Sequence, residues 1–236
     1  VQVVSARETN AYPGTEMQRT MAIVMLQALD VPVVLDVIRL VSCDQNEYDL
    51  PYHFMGQVMK TNFAYEQPAS LQAMGDSNGY QHLYLEGQGK PSADAIQFNW
   101  LVHNKFYTLT SAAESTDQLL FARLGANDPD FNLRRDPALI IRRPATANTV
   151  FATVVEPHGS YSPVTELSRN PNSKLAGVSV IHDGDDYTAI AVRDLEQQTA
   201  VFVIANADVS NDKEHKLKLD GQLYRWQGPY HFADFR

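Results

Sequence analysis

These 236 residues hold a single cysteine, Cys43, so no disulfide can form within the chain and the fold must rest on a buried core. One cysteine does not separate an oxidising compartment from a reducing one. Long hydrophobic runs are missing too. The nearest candidate, Met21 to Leu40, is broken by Gln27, Asp30, Pro32, Asp36 and Arg39, which excludes an apolar membrane helix of roughly 18 or more residues. Positive charge is scarce, with 19 Lys and Arg against 28 Asp and Glu for a net charge of -9. That balance argues against a general nucleic-acid surface, and any polyanionic ligand would need a local basic site. No P-loop, dinucleotide glycine pattern, paired CxxC, HExxH or GxSxG occurs, which removes most cofactor enzymes. Repeats and low-complexity tracts are absent, and the one mixed-charge stretch, Asn211 to Lys218, reads as a solvated hairpin. The opening Val1-Gln2-Val3-Val4 has no initiator Met, apolar h-region or basic n-region, as expected of a processed or truncated product.

What is present points to β structure. A hydrophobic content of 44% suffices for one large β domain or two small ones. Short β-branched and aromatic runs bounded by Gly, Pro, Asn and Asp recur along the chain, and no long segment keeps a 3.6-residue period. Strands are expected at Val33 to Val41, His82 to Glu86, Ile96 to Val102, Leu119 to Leu124, Ala138 to Arg142, Thr149 to Val155, Tyr187 to Val192 and Ala200 to Ala205. Hairpin-type turns are expected at Asp76-Ser77-Asn78-Gly79, Asp183-Gly184-Asp185 and Asp220-Gly221. The fold class is therefore all-β, a large antiparallel two-layer β-sandwich, with a candidate sub-sheet at 176–236 that either stands apart or extends the main sheet. Loops at Gly125 to Pro137 and Gly159 to Ser173 are long enough to be functional rims or mobile surface.

Several polar residues stand where chemistry could use them. In Asp49-Leu50-Pro51-Tyr52-His53-Phe54-Met55-Gly56 a Tyr-His pair sits between strand-like runs. Tyr52 and His53 suit proton transfer or sugar binding, or else are buried and satisfied by backbone partners. Asp36 lies in the apolar run Val33 to Leu40, where a carboxylate costs free energy unless it is paired or holds a metal; alternation turns it inward, with Arg39 or a histidine as the expected partner. His82, with Asp36 and His53, could complete a His/Asp metal site, although the spacing is weak. The pairs Arg134-Arg135 and Arg142-Arg143 could receive carboxylates, with structural partners expected among Asp128, Asp130 and Glu156.

A family resemblance runs over nearly the whole chain. It is carried by Asn10-Ala11-Tyr12-Pro13-Gly14-Thr15-Glu16-Met17-Gln18-Arg19-Thr20, Tyr48-Asp49-Leu50-Pro51-Tyr52-His53, Asn78-Gly79-Tyr80-Gln81-His82-Leu83, Leu124 to Arg134 and Glu156-Pro157-His158-Gly159. In order and spacing these segments resemble the β half of heparinase II/III-like polysaccharide lyases, most closely the oligoalginate lyases of polysaccharide lyase family 17. The resemblance implies a C-terminal β-sandwich covering 1–236, paired in the full protein with an N-terminal helical toroid and incomplete as an enzyme alone. It implies β-elimination on uronate oligosaccharides, with much of the catalytic machinery in the helical part. Tyr52 and His53 would be this half's catalytic candidates, and Tyr12, Arg19, Tyr52 and His53 its substrate-binding ones. Relatives carry a histidine-bearing hairpin near Thr15 to Arg19 that helps line a zinc site. Here that segment has Glu16, Gln18 and Arg19 and no histidine, leaving Asp36 and His82 as candidate ligands of a structural zinc, with no cofactor required. The implied partners are the oligosaccharide, the helical domain and a candidate second copy, with neither nucleic acid nor membrane, in a periplasmic or secreted setting rather than the cytoplasm. Two rivals are a non-catalytic carbohydrate-binding β-sandwich, which predicts an exposed aromatic platform around Tyr80, Tyr84 or Trp100, and a free-standing sugar isomerase or epimerase, which needs a complete acid/base pair in this chain.

Overall fold

The structure, a computed structural model, describes residues 1–126, 132–134 and 136–234. Its strands, in chain order, are β1 Gln2–Tyr12, β2 Thr15–Val24, β3 Val33–Ser42, β4 Asn46–His53, β5 Gln57–Thr61, β6 Tyr65–Glu66, β7 Leu83–Gly89, β8 Ala95–Val102, β9 Lys105–Ala112 and β10 Gln118–Leu124. They continue as β11 Pro137–Thr146, β12 Thr149–His158, β13 Ser160–Ser162, β14 Leu167–Arg169, β15 Leu175–Asp183, β16 Tyr187–Asp194, β17 Thr199–Ala205, β18 Glu214–Leu219, β19 Gln222–Gln227 and β20 Tyr230–Ala233. A 3-10 turn at Tyr80–His82 is the one helical element among the described residues, and none is long and apolar enough to cross a membrane.

The all-β expectation holds, and each of the eight segments read as strands is a strand, as β3, β7, β8, β10, β11, β12, β16 and β17. Their β-branched and aromatic side chains suit a pleated, half-buried surface. His82 alone is displaced, ending the 3-10 turn rather than opening β7. The Asp183-Gly184 and Asp220-Gly221 hairpins form between β15 and β16 and between β18 and β19. Asp76 to Gly79, by contrast, leads into the 3-10 turn, because Asn78 and Gly79 both take positive φ, 57° and 93°, and curl the chain before β7.

All pairings are antiparallel. A seven-stranded sheet runs in the order β1-β2-β3-β12-β9-β8-β5, and a five-stranded sheet runs β4-β11-β10-β7-β6. Their facing sides share a core of Ile38, Leu40, Phe98, Leu109 and Phe151 from the first and Leu50, Leu119, Phe121, Leu139 and Ile141 from the second. Alternation along β3 sends Val33, Leu35 and Val37 the other way, onto Ile190, Val192, Phe202 and Ile204 of a third sheet, β15-β16-β17-β20. The stretch after Ala176 thus adds a third layer to the expected sandwich. The β18-β19 hairpin caps this layer through Leu219 and Trp226 against Ala189, Val201 and Val203. Full burial of each such side chain stabilises by about 1.5–3 kcal/mol, so the stack is held mainly by its shared apolar faces.

Candidate functional site

β4 is an edge strand of its sheet, and it lies over β3, so β2 and β1 extend past it. This offset opens a groove between the two layers. Its inner end is a cavity of about 410 Å³ lined by Tyr12, Met17, Ile38, Leu40, Tyr48, Asp49, Leu50 and Tyr80, within the size range of small-ligand sites. Tyr12 at the β1–β2 turn is 61% exposed and forms the rim. Asp49 is held by Arg142, whose Nε and Nη2 donate to its two oxygens at 2.8 and 2.7 Å, while the Tyr80 hydroxyl donates to Asp49 at 2.6 Å. Burial and then Asp49 push the Tyr80 hydroxyl up to about 12.

Two residues further along β2, β3 and β4 stand Arg19, Asp36 and Tyr52, on the same inward faces by strand alternation. Arg19 donates through Nε at 3.0 Å and Nη2 at 2.8 Å to the two oxygens of buried Asp36. The arginine side chain is 48% exposed, and its Nη1 has no hydrogen bond among the described residues. That hydrogen bond to Asp36 raises the guanidinium pKa, so Arg19 is a fixed positive charge facing the groove. The Tyr52 hydroxyl donates to Thr153 Oγ1 at 2.8 Å, Thr153 donates to Ser111 Oγ at 2.9 Å, and Ser111 ends on the Ala152 carbonyl at 3.2 Å. Burial, and then the Asp36 charge, raise the Tyr52 pKa far above its ordinary value. Tyr52 is therefore a protonated donor whose hydroxyl direction is set by a buried chain of hydroxyls.

The structure joins Tyr52 with Arg19 and separates it from His53. Adjacent strand residues face opposite ways, so His53 is exposed on the far side of β4, and the two form no proton-transfer pair. Asp36 pairs with Arg19 rather than Arg39, because Arg39 is an odd step away on β3 and meets Asp183 at 2.7 Å instead. A metal site at Asp36 and His82 is not supported by the residues present. Both Asp36 oxygens already receive Arg19, and His82 ends the 3-10 turn that leads into β7 of the five-stranded sheet, whereas Asp36 lies on β3 of the seven-stranded one. Among the described residues no group of three His, Cys, Asp or Glu could hold a metal ion.

Arg142 and Arg143 are structural, with other partners than expected. Arg142 takes Asp49, while buried Arg143 takes Asp117 through Nε and Nη2, both at 2.8 Å. Glu156 instead receives the Lys174 amide at 3.1 Å and the Ser173 hydroxyl. Asp128, Asp130 and Arg135 lie outside the described residues. His158 is a buried clip: Nδ1 donates to the Asn170 carbonyl at 2.9 Å, which leaves Nε2 to accept from Thr108 at 2.9 Å. Of the expected aromatic platform, Tyr84 is buried and Trp100 stacks on Phe98 and Tyr107, at 5.2 and 5.4 Å. Sequence reasoning missed Thr153, Ser111 and Tyr48. Buried hydroxyls inside apolar runs, as in Thr108-Leu109-Thr110-Ser111, were the available signal.

No family model matches the chain. Among curated proteins it is similar to an "Alginate lyase" of Stenotrophomonas maltophilia, 35% identical over 230 residues, covering 97% of this chain and 31% of that protein. It is also similar to an "Exo-oligoalginate lyase" of Saccharophagus degradans, 32% identical over 231 residues, covering 96% of this chain and 31% of that protein. The similarity relates the chain to polysaccharide lyases, and the chain spans about 31% of the length of these curated relatives.

Proposed function

We propose that the chain is the β part of a larger, heparinase II/III-like lyase that degrades alginate oligosaccharides by β-elimination, its groove beside β4 forming one wall of the substrate cleft. The observation that carries this reading is Arg19, a half-exposed guanidinium anchored by Asp36 on the groove wall of an acidic chain. It is a site for a uronate carboxylate, since a planar guanidinium accepts carboxylates in fixed geometry.

In β-elimination a base removes the proton from the carbon bearing the carboxylate, and the released electron pair forms a carbon–carbon double bond. The bond to the glycosidic oxygen breaks, and that oxygen takes a proton. Charge that builds on the carboxylate in the transition state is met by the Arg19 cation. Tyr52, which keeps its proton, is not the base; turned from Thr153, its hydroxyl would donate toward the leaving oxygen. The base comes from the remaining two thirds of the full protein, the helical part, across the groove. Tyr12 contributes substrate contacts at the rim.

The test is ultraviolet detection of unsaturated uronate released from alginate oligosaccharides by the chain alone, by the full-length protein, and by full-length Tyr52→Phe, Arg19→Ala and His53→Ala. The expected pattern is activity in the full-length protein only, with kcat/KM lowered about 100-fold or more by Tyr52→Phe or Arg19→Ala and only a few-fold by His53→Ala. Activity from the chain alone, or full activity in both Tyr52→Phe and Arg19→Ala, would overturn it.

A further inference from the structure

We infer a second binding surface, for an acidic polysaccharide, on the β18–β19 hairpin, at the opposite face of the layered stack from the groove. The hairpin turns at Asp220 and Gly221, which both take positive φ, 46° and 86°, the signature of a two-residue turn that fixes register. That register sets Lys216 directly opposite Arg225. Alternation turns His215, Leu219 and Trp226 toward the sheet below and leaves Lys216, Lys218 and Arg225 exposed together, with one acid, Glu214, beside Lys216.

Like charges directly opposite on an antiparallel pair repel, so the pairing costs stability unless an anion joins them. Among the described residues, none of these three cations has an ion-pair partner, although acids outnumber bases by nine in the chain. A second observation lies at the same hairpin. A cavity of about 690 Å³ is bordered by Lys216, Arg225, His215, Trp226 and Tyr187. His215 is only 6% exposed, stacks on Trp226 at 5.1 Å and meets the Tyr187 hydroxyl through Nδ1 at 3.2 Å, yet its Nε2 has no partner among the described residues. A buried polar atom left unpaired is costly, and such costs are tolerated where a ligand completes the site. Lys216 and Lys218, about 7 Å apart along one strand, beside a cavity that Lys216 and Arg225 border, suit a chain of sugar rings that carries regularly spaced carboxylates. The choice of a polyuronate among acidic polymers rests on the lyase reading.

The test is native electrophoresis of the chain through gels containing alginate, a neutral glucan or duplex nucleic acid. The wild-type chain is expected to be retarded by alginate alone, and Lys216→Ala/Lys218→Ala/Arg225→Ala to bind roughly tenfold more weakly. Near-ultraviolet circular dichroism checks the fold of that variant, and the corresponding triple Gln variant is a second version should the first misfold. Lys60→Ala/Lys90→Ala, which removes two exposed cations elsewhere on the chain, is expected to be retarded like wild type. No retardation by alginate, equal retardation of the triple variants, or stronger retardation by nucleic acid overturns the surface. Elimination by the full-length protein is assayed separately: retardation without elimination removes the lyase reading and leaves the surface, whereas elimination without retardation removes only the surface.

Discussion

At the scale of single residues, two tyrosine hydroxyls, buried in Tyr52 and partly exposed in Tyr80, make the alkaline limit of stability predictable. Tyr52 and Tyr80 both have pKa values raised in the fold above the ordinary tyrosine value of about 10, Tyr80 to about 12. Above pH 10 the unfolded chain therefore binds fewer protons than the folded chain. The stabilisation is present in full below the unfolded value and is lost as pH rises through the folded one. We expect the urea midpoint to fall between about pH 10 and 12, and Tyr80→Phe to flatten part of that fall. A midpoint that holds steady through that window, or declines identically in Tyr80→Phe, would count against these assignments. Arg19 belongs to this scale as well. Arg19→Ala strands the buried Asp36 carboxylate, and a loss of about 2–3 kcal/mol is expected, most of it restored by adding Asp36→Leu, as read from denaturation curves.

Among strands and corners, two features hold the groove's walls. Arg143 of β11 is fully buried, clamped on Asp117, and donates to Thr149 at 2.7 Å, with Phe151 4.3 Å beneath its guanidinium. Asp117→Ala leaves that charge with only the half-exposed Glu114, and a destabilisation of about 3–5 kcal/mol is expected by urea titration. Gly56 is the corner at which the chain passes from the five-stranded sheet, after β4, to β5 of the seven-stranded sheet. Its φ is +100°, and a Cβ there would stand 2.1 Å from the Leu101 carbonyl oxygen. Gly56→Ala must displace β4 or β5, and we expect a thermal midpoint lowered by several degrees, with weaker substrate binding because Tyr52 rides on β4. These details were only partly legible. The turn glycine could be seen in Met55-Gly56, but its close approach to Leu101 depends on a strand more than 40 residues away.

For the whole molecule, the seven-stranded sheet gives one face to the five-stranded sheet and the other to the sheet after Ala176. The third layer shares its inner core with β2, β3 and β12, so residues 175–234 should not fold alone. A single cooperative unfolding transition, with no stable fragment from limited proteolysis near Ala176, is expected; a protease-resistant 175–234 piece would refute the shared core.

The sequence by itself determined the all-β class, eight of the strands, the two Asp-Gly hairpins and the inward face of Asp36, because strand alternation and turn chemistry act over a few residues and leave local marks. It also placed Tyr12, Arg19 and Tyr52 among the residues of interest. Only the tertiary structure decided which side chains meet. Arg19 reaches Asp36 from a neighbouring strand, His53 turns away from Tyr52 and His82 leads into the other sheet, because register and layer order set these distances. The third layer was equally hidden: a strand buried on both faces and one buried on a single face differ in what packs over them, which residues far along the chain decide.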